Sequence, residues 1–379
     1  MRSTFKIASD GSYLSDFHDA RFNQDSSCLA VSCTTGFRIY NCNPFSLATN
    51  RDLSSVARGN VTTVEMMYRC NIIAIVGDYD SDTSSFRSLP DVPMWQRNVL
   101  ILWDDKDNCE VAQLVFGSAI TNVKLLRNLL FVTLEKKLYV YQLHTVKLLD
   151  TFITSPNAHG ICAVSGNDDL HVVAFPGTVP GSIIVKLYHF DGSDGTLLGD
   201  ESVMIRAHKS DITAIGLSVD GFLLVTSSKN GRLVRLWSAF SGIKLQEFRK
   251  AGDGGILRIC HISPDSRYLC TVSTTEVVSI FNIRLRCHAK RCSKERLPIV
   301  STDSMDSPTA TDCLPLRLFR HTRIYWETPT AYTRFRSPAP VVASTFMPNT
   351  NNLLLVLANG RVHRLSVAGH FNLLANHAL

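Results

Sequence analysis

The sequence predicts an all-β fold, a seven-bladed, WD40-like β-propeller, and three observations lead to this prediction. Short runs rich in β-branched and aromatic residues recur along most of the chain, separated by turn residues. The clearest unit, residues 210–248, holds four such runs joined by the turns VDG, KNG and FSG. Similar units recur about every 40 residues where no loop intervenes, which is typical of four-stranded propeller blades.

The predicted strands follow one another in order along the chain. In the first half they are Cys28–Ser32 with Phe37–Tyr40, Ile72–Val76 with Val99–Trp103, Leu129–Leu134 with Leu138–Tyr141, and His171–Phe175 with Ile183–Tyr188. After the clearest unit they are Ile256–Ile262, Tyr268–Ser273 and Val277–Ile283, then Val341–Phe346, Asn352–Leu357 and Gly360–Val367. A tandem of β-sandwiches is the alternative, but each unit is too small to bury both of its faces alone, which favours the propeller.

The length of 379 residues allows one large domain or two ordinary ones, and the predicted propeller makes it a single domain spanning 1–379. Hydrophobic residues make up 45% of the chain, enough for a sizeable core, and no run of about 18 apolar residues is present. The 11 cysteines lack regular spacing, which disfavours a disulfide framework and favours a reduced, cytosolic setting. The formal charge of +6 suits an acidic surface as a partner without identifying one.

One segment, about 282–336, breaks the strand pattern and is predicted to be a long loop inserted in blade six. It carries 11 Lys and Arg against 5 Asp and Glu. Within it, a stretch rich in Ser, Thr and Asp precedes the apolar and basic stretch CLPLRLFRHTRIYW. A loop of this length without structure of its own is usually functional or disordered.

Several stretches resemble the PROPPIN family, the WIPI-like β-propellers that bind polyphosphoinositides. RFNQDSSCLAVSCTTGFRIYN resembles the family's first blade, VEMMYRCNIIAIVGD and NVLILWDD its second, and VVAFPG its fourth. RAHKSDITAIGLSVDGFLLVTSSKNGRLVRLW resembles the fifth, and the likeness covers about 21–283, with a weaker echo in 340–368. The family's Phe-Arg-Arg-Gly motif stands here as Phe248, Arg249, Lys250 and Ala251, so the first arginine is kept, the second is replaced by lysine and the glycine is lost.

The resemblance implies two pockets for inositol phosphate headgroups, one on each side of this motif, since adjacent residues of a strand point in opposite directions. The first pocket would be lined by His208, Lys209, Ser228, Arg232, Arg235 and Arg249. Arginine forks match phosphate oxygens in pairs, and His208 would gain charge as the pH falls. Arg232 stands where the family usually has threonine. From the residues alone, pairing of Arg249 with Asp253 or Glu247, and a packed or hydrogen-bonded His208, remain open.

The second implied pocket would use Lys250, Ser273, Thr274 and Thr275. The family usually has a turn with Gly-Thr and then a histidine here, whereas this chain has Glu276, Val277 and Ser279. Glu276 would repel phosphate if it faced the pocket, and Lys250 is a point charge that lacks the paired contact of arginine.

In the resembling family the long loop of blade six is thought to insert into the bilayer, which implies a membrane-insertion loop here. The apolar residues that would insert are Leu314, Leu316, Leu318, Phe319, Ile324, Tyr325 and Trp326. Burial of each contributes roughly 1.5–3 kcal/mol before ordering costs. The alternatives are a disordered basic loop and one whose apolar residues pack back on blade six.

The motifs of common enzyme classes are absent, so the sequence predicts a protein that is not an enzyme and uses no cofactor or metal. No Gly-rich Walker loop, G-x-S-x-G turn or H-E-x-x-H pair is present. Cys287, His288 and Cys292 lie close together, but a zinc site needs a fourth ligand and better spacing.

Two functions remain at this point. The resemblance implies a peripheral membrane effector that binds phosphatidylinositol 3-phosphate and phosphatidylinositol 3,5-bisphosphate, with autophagy-type protein partners, on phagophore, endosomal or vacuolar membranes. The alternative is a soluble WD-repeat scaffold that binds proteins and not lipid. Nucleic-acid binding is disfavoured, because the basic loop is mixed with apolar residues and lacks a known reader fold. How the ring closes is also open, either through Ser3–Ala8 pairing with the last blade or through the first and last blades meeting directly.

Overall fold

The structure of the protein is a computed structural model that describes residues 17–79, 94–166, 170–191, 196–229, 232–249, 255–285, 331–350, 352–367 and 372–379. These residues form 28 β-strands and no α-helix, arranged in seven antiparallel sheets of four strands. Each sheet uses four strands that are consecutive along the chain and neighbours in the same order. This arrangement confirms the predicted all-β, seven-bladed propeller. The described part of the chain contains no helix with the length and hydropathy needed to cross a membrane.

The strands of blades one to four are as follows. Blade one contains β1 (Phe17–Phe22), β2 (Cys28–Cys33), β3 (Gly36–Cys42) and β4 (Phe45–Asp52), and blade two contains β5 (Val61–Met66), β6 (Ile72–Gly77), β7 (Val99–Asp104) and β8 (Cys109–Val115). Blade three contains β9 (Ile120–Leu125), β10 (Leu129–Leu134), β11 (Lys137–Gln142) and β12 (Lys147–Ile153), and blade four contains β13 (Ala163–Gly166), β14 (Leu170–Pro176), β15 (Ser182–Phe190) and β16 (Leu197–Arg206).

The strands of blades five to seven complete the ring. Blade five contains β17 (Ile212–Leu217), β18 (Leu223–Ser228), β19 (Leu233–Ser238) and β20 (Lys244–Arg249), and blade six contains β21 (Leu257–Ile262), β22 (Tyr268–Ser273), β23 (Val277–Asn282) and β24 (Thr333–Arg336). Blade seven contains β25 (Val341–Phe346), β26 (Leu353–Leu357), β27 (Arg361–Ser366) and β28 (Asn372–Ala378).

The strands of a blade differ in burial because of where they lie in the sheet. Every residue of the second strands β2, β10 and β18 is buried, since neighbouring blades cover both faces of the sheet. The fourth strands β8 and β28 lie at the rim and keep exposed side chains along their length. A strand covered on both faces reads as a continuous apolar run, which is why the second strands are the easiest to recognise in the sequence.

The apolar core lies between blades. Between blades five and six, Phe248 of β20 and Phe281 of β23 are fully buried, with their ring centroids 5.3 Å apart. Burying a side chain of this size contributes about 1.5–3 kcal/mol. This contact fixes the last part of β20, the strand that ends at Arg249.

Blades one and seven meet by direct packing. Leu29 of β2 and Leu354 of β26 belong to one buried apolar cluster. At the rim, the ring of Phe45 stacks on His377 of β28 with centroids 4.6 Å apart. Among the described residues, blade seven consists of β25 to β28 alone. The alternative of pairing by Ser3–Ala8 lies outside the described residues.

A largely buried ionic network joins the inner strands of blades one, two and three. Arg21 of β1 bonds through Nη1 to Glu65 Oε2 of β5 at 3.2 Å and to Asn122 Oδ1 of β9 at 2.7 Å. Lys124 of β9 places Nζ 3.0 Å from both carboxylate oxygens of Glu65, and Arg21 also pairs with Asp19 at 2.9 Å. The Glu65 side chain is 3% exposed, so its two ion pairs are shielded from water and hold three blades in register.

The predicted loop of blade six, 282–336, is too long at its C-terminal end. β24 pairs with β23 as the outer strand of blade six, and Arg336 lies opposite Val277. The segment that joins the two strands therefore runs over 283–332, most of it outside the described residues. Because β24 is short and lies at the rim, with Arg334 and Arg336 exposed, its sequence shows little apolar alternation.

Candidate functional site

The residues predicted for the first pocket lie mainly at one end of blade five. The antiparallel register places Ile212, which begins β17, opposite Ser228, which ends β18. It likewise places Leu233, which begins β19, opposite Arg249, which ends β20. Since a short turn joins β18 to β19, all four strand termini lie together. We call this the site end of blade five.

Four cationic side chains are exposed at the site end, namely Lys209, Lys229, Arg232 and Arg249. Lys209 precedes β17, while Lys229 and Arg232 flank the turn between β18 and β19. In the described ranges none of the four forms an ion pair with another residue. Positive charge gathered without internal partners creates a local potential that attracts an anion from solvent.

The direction of Arg249 follows from its place in β20. Phe248 is fully buried between the blades, and Arg249, the next residue along the strand, is exposed. Glu247, one of the two acids considered as its partner, instead pairs with Arg235 at 3.0 Å and with Lys244 at 2.6 Å. Pairing of Arg249 with Glu247 is therefore not observed, and the other acid, Asp253, lies outside the described residues.

Arg235 differs from the four exposed cations because its guanidinium is already used. Its Nε donates to Glu247 Oε1 at 3.0 Å, and its Nη1 donates to the backbone oxygen of Ala207. The two residues 235 and 247 are direct cross-strand partners in β19 and β20. Arg235 thus braces blade five, and a role for it in the pocket stays a prediction.

His208 lies in a hydrogen-bond network of the blade. Its Nε2 is 2.9 Å from Thr226 Oγ1, and the indole Nε1 of Trp237 donates to the same oxygen at 2.9 Å. Burial, followed by the positive charge of Arg235, lowers the pKa of His208 to about 4. The imidazole is therefore neutral at physiological pH, and it gains the expected charge only at a pH well below the physiological range. The hydrogen-bonded alternative describes the observed geometry.

Ser228 contributes little side-chain surface to the site end. Ser228 is buried at the end of β18, and the backbone nitrogen of Lys229 donates to the backbone oxygen of Asp211 at 2.9 Å. Asp211 is exposed, so it places one carboxylate near the four cations. The charge of the described side chains at this end remains positive.

The corresponding end of blade six holds Ser273, Thr274 and Thr275, the residues predicted for the second pocket. Ser273 is fully buried, and its hydroxyl lies 2.8 Å from Thr275 Oγ1 and accepts from the backbone nitrogen of Val277 at 3.2 Å. Thr274 Oγ1 accepts from the backbone nitrogen of Ile256 at 3.0 Å. These hydroxyls therefore have partners within blade six. Lys250, the predicted cation of this pocket, lies outside the described residues, so the pocket stays a prediction.

Glu276 follows these residues and is bound on two sides. Its Oε1 pairs with Arg258 Nη2 at 3.1 Å, and its Oε2 accepts from the backbone nitrogen of Val341, the first residue of blade seven, at 2.9 Å. The carboxylate therefore reaches towards blade seven. The ion pair with Arg258 neutralises its negative charge.

Several predicted functional residues fall outside the described residues. These are the loop residues Leu314, Leu316, Leu318, Phe319, Ile324, Tyr325 and Trp326, and the cluster of Cys287, His288 and Cys292. In the ranges that the structure does describe, no group of three or more His, Cys, Asp or Glu side chains is placed to hold a metal ion.

Two cationic side chains at these blade ends, Lys229 and Arg258, were not predicted for either pocket from the sequence. Lys229 was not among the six residues predicted for the first pocket, yet its side chain is one of the exposed cations. Arg258 was not singled out, although it forms the ion pair with Glu276. The signal for Lys229 was its place between two recognisable strands. Arg258 had no such signal, since its partner is 18 residues away.

The fold and site define a class of protein, a β-propeller with a cationic blade end suited to an anion. The PROPPIN family model matches residues 15–295, most of the chain, and the chain belongs to the PROPPIN family. The family likeness expected from the sequence is confirmed.

Relatives among curated proteins agree with this assignment. The chain is 33% identical over 263 residues to Autophagy-related protein 18 of Dictyostelium discoideum, a match that covers 69% of this chain and 64% of that protein. It is 31% identical over 292 residues to Autophagy-related protein 18 of Scheffersomyces stipitis, covering 69% of this chain and 49% of that protein. The chain thus spans about half to two thirds of the length of these relatives.

Solved structures show the same fold. Hsv2 of Kluyveromyces lactis is similar with a TM-score of 0.69 and 18% identity, over 96% of this chain and 99% of that one. A complex of KlAtg21 with the coiled-coil of AgAtg16 contains a chain similar with a TM-score of 0.62 and 19% identity, over the same shares of the two chains. At these identities the likeness concerns the fold alone.

Proposed function

We propose that the chain is a peripheral membrane scaffold that binds phosphatidylinositol 3-phosphate and phosphatidylinositol 3,5-bisphosphate through the site end of blade five. The observation that supports this most directly is the set of four exposed cations, Lys209, Lys229, Arg232 and Arg249, without ion-pair partners among the described residues. They come from separate segments around one blade end, which suits a ligand that carries several phosphate oxygens.

The chemistry of these residues favours an anion with paired oxygens over an apolar ligand, and the presence of four cations suits an anion with several oxygens, such as a phosphate. Arg232 and Arg249 present planar guanidinium groups that donate two hydrogen bonds to paired oxygens, and the two lysines add point charges. The backbone at Arg249 is held by the buried Phe248, so little of its freedom remains to be lost on binding. The same site would be weakened by salt, since its charges are exposed.

The membrane-insertion loop belongs to this proposal as an additional contact, while the second predicted pocket stays a prediction. A weak headgroup site and an apolar loop on one chain act together, because binding of one raises the effective concentration of the other at the membrane. A cation beside an anionic leaflet adds about 1 kcal/mol, which gives the basic part of the loop a role of its own.

The biological setting is proposed from the relatives. Those quoted above bear the name Autophagy-related protein 18, and one structural neighbour is Atg21 in a complex with the coiled-coil of Atg16. We therefore assign the chain to autophagy and endolysosomal membrane traffic, with autophagy-type protein partners. The proposed location is the cytoplasm and the surface of phagophore, endosomal or vacuolar membranes. PROPPINs are of the non-enzymatic scaffold type, and we propose no catalysis.

Liposome flotation tests the proposal. Wild-type chain is mixed with vesicles that contain phosphatidylinositol 3-phosphate, or with matched vesicles that contain only phosphatidylcholine. We expect flotation with the phosphoinositide vesicles and a loss of roughly tenfold in the Arg249→Ala variant, because a charge-assisted bidentate contact contributes about 1.5–3 kcal/mol.

A matched control comes from Arg267, in the turn between β21 and β22 at the opposite end of blade six. Its side chain is 80% exposed, so Arg267→Ala removes the same charge without disturbing the core. Arg267→Ala should float like wild type. Equal flotation of wild type and Arg249→Ala would contradict the headgroup site, and equal loss in both variants would show that only total charge matters.

A soluble WD-repeat scaffold without lipid binding is the second candidate. Two of the six residues predicted for the first pocket, His208 and Arg235, are engaged within the blade, which favours this alternative. The same assay separates the two functions, since a soluble scaffold floats with neither type of vesicle.

A further inference from the structure

The ends of blades five and six correspond residue by residue through strand register. Leu233 begins β19 and Val277 begins β23, and each lies opposite the last residue of the fourth strand of its blade. The two positions are therefore equivalent. The residue just before them is Arg232 in blade five and Glu276 in blade six, so equivalent places carry opposite charges.

Glu276 is held firmly in its place. Besides its ion pair with Arg258 and its bond from the nitrogen of Val341, its backbone oxygen accepts from the nitrogen of Ser337 at 2.8 Å. Its φ of 61° lies in the left-handed region, which a non-glycine residue adopts only where surrounding contacts fix it. The carboxylate is thus a fixed charge at this blade end.

Arg258 is the cation that Glu276 neutralises. Among described residues 255–285, Arg258 is the cation at this end, since Arg267 and Arg284 lie at the opposite end of the blade. The equivalent position in blade five is Thr213, which follows the first residue of β17 and bonds to Ser227. Blade five therefore presents unpaired cations. The inner strands of blade six present an ion pair instead, beside the exposed Arg336 at the end of the outer strand β24.

We propose that Glu276 restricts this chain to one phosphorylated inositol headgroup, bound at blade five, by neutralising Arg258 at the equivalent end of blade six. This inference rests on the proposed function. The hydroxyls of Ser273 and Thr275 bond to each other, and Arg336 is already exposed, so Arg258 is the paired cation whose release would raise the affinity of this end for an anion. An anion that enters here meets a fixed carboxylate. The repulsion between the two negative charges weakens binding of the anion by roughly tenfold.

Isothermal titration with soluble inositol 1,3-bisphosphate tests the inference through its stoichiometry. Wild type should bind one equivalent and Arg249→Ala none. Glu276→Gln keeps an acceptor for the nitrogen of Val341 but removes the charge, and it should bind two equivalents. The double variant Arg249→Ala with Glu276→Gln should bind one equivalent, at blade six, and adding Arg258→Ala to it should abolish that binding.

The matched control is Asp265→Asn, which removes an acid that also lies near an arginine, 3.7 Å from Arg267, at the opposite end of the blade. It should still bind one equivalent. If Glu276→Gln fails to fold, Glu276→Asn serves instead, since asparagine tolerates positive φ. Two equivalents in wild type, or one equivalent in a folded Glu276 variant, would overturn the inference. No binding by wild type would instead overturn the proposed function, and this inference with it.

Discussion

Replacing His208 by glutamine should make the stability of the propeller less dependent on pH. The imidazole is bonded to Thr226, which also accepts the indole N–H of Trp237, and it is kept neutral by burial and by the nearby charge of Arg235. Glutamine retains a polar group that reaches Thr226 but does not titrate in this range. The variant therefore separates the proton uptake of His208 from its hydrogen bond.

The size of the effect follows from the two pKa values of His208. The pKa is about 4 in the folded chain, against about 6.5 for an unperturbed histidine. Between these values the unfolded chain binds the proton and the folded chain does not, so stability is complete above about pH 6.5 and falls as the pH drops towards 4. At about 1.4 kcal/mol per pH unit, the loss amounts to about 3 kcal/mol.

Urea unfolding at several pH values between 7.5 and 4.5 measures this loss of stability. The difference in unfolding free energy between wild type and His208→Gln should shrink, or reverse, as the pH falls. Trp237→Phe is the control, because it removes a donor from the same Thr226 without adding or removing a titrating group, and its difference from wild type should not change with pH. A constant difference for His208→Gln would refute the assignment of the low pKa to this residue. Burial and the charge of Lys124 lower the pKa of His261 on β21 to about 4. His261 is present in wild type and in His208→Gln, so its contribution to the pH dependence cancels in the difference between them.

Two further substitutions test the packing that holds the site. Glu65→Gln should destabilise the chain by about 3 kcal/mol, since it leaves Lys124 without its carboxylate partner. Adding Lys124→Met should recover part of this loss, measured by urea unfolding. No loss of stability in Glu65→Gln would contradict a coupled network. Phe248→Ala should cost about 3–5 kcal/mol and also weaken headgroup binding, because Phe248 anchors the end of β20 against Phe281. A stable variant with full binding would show that the position of Arg249 does not depend on this contact.

The sequence predicted the second and third strands of each blade well because burial shapes their side chains, whereas the inner strands of blades one to four were not among the predicted runs. β18, for example, is buried at every residue and reads as LLVTSS between clear turns. The outer strands were harder to predict. β16 includes the run Gly-Asp-Glu-Ser and β24 includes two exposed arginines, since a rim strand needs no apolar face. A four-residue strand of this kind cannot be told from a loop by periodicity, which explains why 282–336 was predicted too long.

The candidate site was predictable in its location but not in the state of its residues. The likeness to the family placed the cations at blade five, and turns in the sequence showed which strands end there. Whether a given cation is free depends on cross-strand register, which the sequence does not reveal. Arg235 lies directly opposite Glu247 and is paired, while Arg249 lies opposite Leu233 and is not.

The places where the chain leaves and re-enters blade six limit how the proposed headgroup site and the loop can contact one membrane. The proposed headgroup site lies where β20 ends, and the equivalent end of blade six is where β23 begins. The chain leaves for the loop at the other end of β23, after Asn282, and returns at Thr333. A strand of six residues spans about 20 Å, so the residues where the chain leaves and re-enters blade six lie at the end of the sheet opposite the proposed headgroup site. A flat bilayer that runs along the outer strands would lie against both ends of the sheet and would bring the exposed Arg334 and Arg336 of β24 to the lipid surface.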